Sequence, residues 1–455
     1  MPTAETAEPE QTGSETAFQR ADVLNVFVLG MDDANRATLE AVPEADRYRF
    51  HPLLSPAQLQ EDEVSVPALL ERACGVLDDF GGSVDAIVGY WDFPVSTMIP
   101  ILAERYGTRA TSLDSVVKCE HKYWSRLEQE KVITELPRFG RVDLEAAEPE
   151  PPEGVRFPMW LKPALSYSSE LAYGVKDLTE FRAAVAEIRE GIARVGRPFE
   201  YILDQVELPP EMEGVGGMVC LAEESLTGLQ CAVEGYAHQG RVHVYGVLDS
   251  ITYPDSSSFL RHQYPSSLPA PVQQRLTEVS ERVIRQIGMD AATFSIEFFY
   301  DPGRDEIKLL EINPRHSQSH AELFEFVDGV PNHHCMLALA LGRDPDLPHR
   351  AGPYLYAAKW YHRWFADGVI RQAPTGEEIA AVEREIPGVR IEVVPDEGQR
   401  LRQLSQQDSY SYEIAHIITA GADDDELRHK YDRAIAALGL HGTAPDAAGP
   451  RNQRP

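Results

Sequence analysis

The stretch TFSIEFFYDPGRDEIKLLEINPRHSQSH, residues 293–320, limits what this chain can fold into more than any other part of it. Two apolar-rich runs, 294–300 and 306–312, flank an Asp-Pro-Gly whose residues fix φ and supply the φ > 0 position of a tight reversal, so a hairpin is predicted. In that hairpin Glu297 and Glu311 fall roughly opposite each other, and Asn313, two residues on, shares a face with Glu311. Both acids are embedded in apolar strands, one among Phe294, Ile296, Phe298 and Phe299, the other after Ile307, Leu309 and Leu310. Two like charges held that close are costly unless a cation lies between them, and three hard oxygen donors suit Mg²⁺ bridging nucleotide phosphates. Arg315 and His316 follow directly and would place positive charge where a phosphoryl group is transferred. The simpler alternative, an ordinary hairpin with exposed acids, does not account for the apolar setting of both.

These residues closely resemble the metal-binding hairpin of the ATP-grasp superfamily, which carries one Glu on the first strand and Glu-x-Asn-Pro-Arg at the end of the second. The resemblance implies ATP and Mg²⁺ as cofactors, with Mn²⁺ as the alternative metal. Glu297, Glu311 and Asn313 would be the metal ligands, and Arg315 and His316 the catalytic pair. The activity it implies is ATP-dependent joining of a carboxylate to a nucleophile through an acyl phosphate.

Length and charge narrow the setting. At 455 residues the chain exceeds the size at which one core keeps growing, so lobes with a cleft between them are expected. A formal net charge of −31, from 73 acidic and 42 basic residues, argues against a nucleic-acid or anionic-membrane partner. Cys74, Cys119, Cys220, Cys231 and Cys335 show no paired spacing, which fits reduced thiols and a cytoplasmic setting better than disulfides or zinc. No apolar run approaches the ~18 residues of a membrane span, and the start lacks a signal-like segment. Residues 1–20 and 441–455 are polar and read as disordered tails.

Taken in order, residues 25–30 form a β-branched run ending in Gly30, followed by a helix at 33–41. A helix at 67–80, a strand at 84–89 and a helix at 94–106 continue an α/β alternation that predicts a parallel sheet with helices on its faces. Gly30 stands without a G-x-G-x-x-G, so a dinucleotide site is not indicated. This lobe, residues 21–143, matches the pre-grasp domain with which ATP-grasp enzymes begin, and its closing helix opens on His121-Lys122. Residues 144–158, acidic and proline-rich, form a linker. Lys162 then sits in the apolar strand MWLKPA and needs an anion to justify its partial burial. By the resemblance Lys122 and Lys162 would reach the nucleotide phosphates. The loop LSYSSEL occupies the place of a glycine-rich phosphate cover, with Ser168 and Ser169 as hydroxyl donors instead of glycines.

An amphipathic helix at 178–191 and an irregular insertion at 198–219 precede a strand at 218–222. Glu223, Glu224, Ser225 and Leu226 match the hinge that reads adenine through main-chain groups. Gln230 stands where a ribose-binding Glu is frequent, and Gly228 and the Val-Glu-Gly containing Glu234 fit the strand that follows. Residues 253–269 read as an irregular loop of the kind that covers a site. Within it Arg261 and His262, together with Ser319 and His320 after the hairpin, are further candidates for contacting substrate. The grasp domain is expected over 159–345 and a C-terminal α+β lobe over 346–440, as in the amino-acid-ligase and biotin-carboxylase-like branch.

The fold class predicted is therefore α/β with α+β lobes in an ATP-grasp arrangement. The function expected is a carboxylate–amine ligase acting on small molecules, amino acids by default, in a homodimer. Two alternatives stand beside it. Bicarbonate activation, as in biotin carboxylases, needs a Glu-His pair where this chain has Ser319-His320. A nucleotide-binding scaffold without turnover would have no use for all three metal ligands and Arg315.

Overall fold

A computed structural model describes residues 23–59, 65–165, 171–404, 407 and 411–442. Ser168 and Ser169, and both expected tails apart from residues 441–442, lie outside them. The chain opens with three parallel strands in the order β2-β1-β3: β1 (Leu24–Leu29), β2 (Tyr48–Leu53) and β3 (Ala86–Gly89). Helices α1 (Asp33–Glu40), α2 (Pro56–Leu59), α3 (Val66–Asp78) and α4 (Val95–Tyr106) connect and cover them. The parallel sheet was legible. Its strand β2 was not, because YRFHPL carries charge and a proline and lies at the sheet edge, where one side needs no ladder partner.

Two short helices, α5 (Leu113–Glu120) and α6 (Lys122–Glu130), lead out of this lobe, with the His121 side chain capping α6 at Trp124 N–H. A small antiparallel sheet follows in the order β4-β7-β5-β6, made of β4 (Phe139–Val142), β5 (Met159–Pro163), β6 (Tyr173–Val175) and β7 (Cys220–Glu224). It packs on α7 (Leu178–Leu203) through Val185, Ile188, Ile192 and Val195. This helix runs a dozen residues beyond its sequence expectation and through Pro198, because Val195, Phe199 and Ile202 continue its buried stripe.

The rest of the chain is organised on one antiparallel sheet of eight strands, in the order β12-β11-β8-β9-β10-β13-β16-β15. Its first five strands in sequence are β8 (Leu229–His238), β9 (Arg241–Thr252), β10 (Phe259–Tyr264), β11 (Ala292–Asp301) and β12 (Glu306–Asn313). The last three are β13 (Tyr356–Trp364), β15 (Val389–Val393) and β16 (Tyr412–Gly421), while β14 (Ile370–Gln372) pairs separately with β17 (His441–Gly442). Helix α8 (Ala270–Ile287) covers the hairpin end of one face; α9 (Ala321–Asp328) covers part of the other, and α10 (His333–Ala340) packs back on the N-terminal lobe. Helices α11 (Gly376–Glu385) and α12 (Asp424–Leu438) close the far end.

Strand β10 corrects the loop expected at 253–269. Its FLRHQY reads as irregular because Arg261, His262 and Gln263 stand in succession and put polar groups on both faces, so the usual apolar alternation is absent, although Tyr264 packs on Phe324 of α9. Strand β17 likewise takes residues 441–442 out of the expected tail. At the entry to β8, Gly228 has φ +119° and lies against β11, where a Cβ would run into the Tyr300 carbonyl.

Candidate active site

The hairpin is formed by β11 and β12, and its register pairs Glu297 directly with Glu311 and Ser295 with Asn313. Ile296, Phe298, Ile307 and Leu309 turn to the opposite face and pack with α8, which fixes the acids on the cleft side. Gln230 on β8 donates its Nε2–H to Glu297 Oε2 at 2.8 Å, so its amide is engaged with a carboxylate and not held free for a ribose hydroxyl. Even so, burial first and the charge of Glu311 second push the Glu297 carboxyl up to about 7. The nearest cation to Glu311 is Lys122, with Nζ 3.7 Å from Oε2. Among the described residues the pair has the Gln230 amide as donor and one ammonium within 4 Å, with the Arg315 charge acting from further off, and a divalent cation would complete its compensation. The oxygen-only set of Glu297, Glu311 and Asn313 therefore fits Mg²⁺. Among the described residues no three His, Cys, Asp or Glu side chains gather as a metal cluster, and Asn313 is the amide that the hairpin register places beside the two acids.

Arg315 reaches the N-terminal lobe. Its Nε and Nη2 donate to the two carboxylate oxygens of Asp92, at 2.7 and 2.6 Å, in a bidentate pair. Asp92 follows β3, at the C-terminal end of a parallel strand, where open α/β sheets place their ligands. Glu120 lies close by, accepting from the Ser96 hydroxyl at 2.5 Å, and burial together with the Asp92 charge raises it to about 7. Neither acid was singled out from the sequence; the position of Asp92 just past a predicted parallel strand was the available signal.

The second lysine has its anion inside the protein. Lys162 Nζ is 3.2 Å from Glu223 Oε2, and Arg126 Nε is 2.5 Å from the other oxygen of the same carboxylate. Glu223 is only 4 % exposed, and although burial opposes its charge, the two cations hold it down at about 2. Arg126 also donates to the Leu309 and Leu310 carbonyls of β12, tying α6 to the hairpin. Glu223 thus anchors Lys162 and Arg126, while Glu224 and Ser225 give their main-chain N–H groups to the Arg138 and Pro158 carbonyls. Leu226 follows at the turn into β8.

His316 does not carry the positive charge expected of it. It is fully buried, between the Thr293 hydroxyl at 3.1 Å and His333 Nδ1 at 2.8 Å, and burial drives its proton off. His333 continues the chain to Asn35 of the N-terminal lobe at 3.1 Å, so the pair joins lobes. Glu234 is completely buried as well, not a surface acid: it accepts from Ser317 N–H and the Tyr245 hydroxyl, both at 3.2 Å, and meets His320 Nδ1 at 2.9 Å. Burial pushes its carboxyl up to about 8. His320 Nε2 meets His262 Nδ1 at 2.6 Å, and the Ser319 and Ser317 hydroxyls are 2.8 Å apart. Arg261 is not part of this group. It points to the opposite face, over the Trp360 ring and onto Asp424 of α12 at 2.5 Å.

The structure thus brings Lys122, Glu297, Glu311, Asn313, Gln230 and Arg315 into one cleft-facing group, with Lys162 and Glu223 on the small sheet beside it. Comparison with known proteins gives this arrangement its family: residues 155–321 match the ATP-grasp domain model. These residues form an ATP-grasp domain. Among solved structures of the same fold are the L-amino acid ligase of Bacillus licheniformis and a biotin carboxylase of Campylobacter jejuni. The first gives a TM-score of 0.66 at 13% identity, covering 93% of this chain and 99% of that one. The second gives 0.60 at 14% identity, covering 93% of each. In sequence the chain is 26% identical over 318 residues to the carbamoyl phosphate synthase large chain of Rubrobacter xylanophilus, which spans 69% of this chain but only 27% of that relative. ATP-grasp ligases use ATP with Mg²⁺, in keeping with the donor set of the hairpin. Among the described residues no helix is long and apolar enough to cross a membrane.

Proposed function

We propose that this chain is an ATP-dependent carboxylate–amine ligase that forms an amide through an acyl phosphate and releases ADP and phosphate. The observation that carries the reading is the pairing of Glu297 with Glu311, two opposed acids of which the second stands four residues before Arg315, which follows the end of the strand. Mg²⁺ held by Glu297, Glu311 and Asn313 would neutralise the distal phosphates of ATP. Lys122 and Lys162 hold phosphate oxygens, Lys162 through a side chain already oriented by Glu223. Arg315 offers a planar fork of donors to the transferring phosphoryl group and to the oxyanion that forms when the amine attacks, a role of about 3 kcal/mol by analogy with other oxyanion donors. In the structure that fork holds the Asp92 carboxylate, which shows that it accepts a carboxylate in bidentate geometry.

The bicarbonate reading loses its base: the position has Ser319-His320, and His320 is committed to Glu234 and His262. The test is an ADP-release screen across small carboxylic acids and amines, singly and in pairs. Acid alone with hydroxylamine should give a hydroxamate, and the correct pair should give a product of summed mass less one water. Phosphorus NMR showing pyrophosphate would overturn this mechanism.

A further inference from the structure

The face of the large sheet that carries Glu297 continues as a polar lane into the C-terminal strands. Lys359 on β13 pairs with His262 on β10, His262 with Ser250 on β9, and Ser250 with Gln230 on β8, whose amide holds Glu297. Residues paired across neighbouring strands share a face, so Lys359 and His262 stand side by side on the cleft side of the sheet. Both end in an unused polar group. Lys359 makes no ion pair among the described residues, although a half-buried ammonium is costly without one. The acids around it are already engaged: Glu322 with Arg390 at 3.1 Å, Glu392 with His416 at 2.8 Å, and Glu413 with His416 at 2.6 Å and with Arg363. The Nε2 of His262 is buried with no hydrogen-bond partner, and His262 itself is 9 % exposed.

The network fixes what that nitrogen offers. With Glu234 holding its proton near neutrality, the carboxyl O–H donates to His320 Nδ1, His320 Nε2–H donates to His262 Nδ1, and His262 Nε2–H is left as a donor. Next to it lies Tyr361, whose ring is 5.7 Å from the Lys359 ammonium and whose hydroxyl bonds Ser319. An ammonium with no carboxylate partner among the described residues and an imidazole N–H with no acceptor there, on residues paired across neighbouring strands, are complementary to an oxyanion. His320 links His262 to Glu234, which also accepts from the Ser317 N–H two residues after Arg315; burial first, and then the charges of Lys359 and Arg315, keep His320 neutral.

We propose that Lys359 and His262 receive a second anionic group of the acid substrate, so that the acid activated at Arg315 is a dicarboxylate. This rests on the ligase reading. The experiment separates the two by reading binding and turnover independently. Calorimetry with malonate, succinate, glutarate, adipate, aspartate and glutamate, each against its monocarboxylate counterpart, should show binding of one chain length by the wild type. Lys359→Met, which keeps the aliphatic stem and removes the charge, should weaken that binding about ten- to hundredfold, the worth of a charge-assisted hydrogen bond. His262→Asn should weaken it less, and ATP affinity should be unchanged in both variants. Hydroxamate formation should follow the same order, as an increase in KM with kcat largely kept. An O-phosphorylated acid bound in place of every dicarboxylate, with the same dependence on Lys359, would identify the oxyanion as phosphate. Lys359-dependent binding without any ADP release would uphold the site and overturn the ligase reading. Turnover with monocarboxylates that Lys359→Met leaves untouched, or no binding of any member of the series, would overturn the site.

Discussion

Glu223 and Glu297 are both sunk in the protein within the same ATP-grasp domain, and they have opposite fates. Glu223 lies between Arg126 and Lys162 and is held at about 2; Glu297 faces Glu311 with one amide donor and is pushed up to about 7. Burial opposes charge in both, so the difference lies in the partners. An acid compensated by the protein's own cations acts as a strut that orients Lys162. An acid whose neighbouring cations, Lys122 on Glu311 and the Arg315 charge, do not bring it down to the ordinary carboxylate range is a request for a further cation. The separation of structural from functional acids is thus a matter of counting neighbouring charge.

The largest test of that contrast is Glu311→Gln, which removes one of the two opposed charges and no core volume. ADP release should fall roughly 10³-fold, about 4 kcal/mol in the barrier, while the urea midpoint stays put or rises. A loss of less than about tenfold would return the hairpin to ordinary structure. Glu223→Gln should do the reverse. It leaves the Arg126 guanidinium, 3 % exposed, without its carboxylate, and should cost about 3 kcal/mol of stability by urea denaturation.

The two acids also predict opposite pH slopes. The Glu223 carboxyl sits below the unfolded value, so its contribution is present above that value and is lost as pH falls toward 2. The Glu297 carboxyl sits above it, so the folded, metal-free chain binds the extra proton, and stability falls as pH rises from the ordinary carboxylate range through 7. Mg²⁺ competes with that proton. Its affinity, read from the Mg²⁺-dependent rise in Tm, should be about tenfold higher at pH 8 than at pH 6. The smallest effect is expected for Gln230→Leu, which removes the amide donor to Glu297 and should weaken Mg²⁺ binding at pH 7 by roughly 0.5–1 kcal/mol. An unchanged value would assign Gln230 to the nucleotide instead.

What could be read from the sequence is what local pattern encodes. The hairpin showed because apolar alternation, an Asp-Pro-Gly turn and two embedded acids coincide within 28 residues, and the register then follows from the turn. Lys162 was correctly recognised as needing an anion, but a sequence does not say whether that anion is a phosphate or Glu223, 61 positions away. Arg315 was found and its partner Asp92 was not, for the same reason: the two are 223 residues apart. The imidazole of His316 looked like a charge in the one-dimensional chain and is kept neutral by burial first and by the neighbouring His333 second. Strand β10 escaped because three successive polar residues, Arg261, His262 and Gln263, erase the alternation by which strands are recognised.

The pairing of β10 with β13 has a consequence for how this chain can be taken apart. A boundary near residue 346 would sever no loop between modules; it would cut through a continuous sheet, stripping β10 of its neighbour and exposing an unpaired strand edge with Arg261 and His262 on it. The segment beyond residue 346 is therefore not a detachable accessory. A fragment ending there should aggregate, and any recombination that exchanges this segment between relatives must carry the whole eight-stranded sheet with it to preserve a soluble molecule.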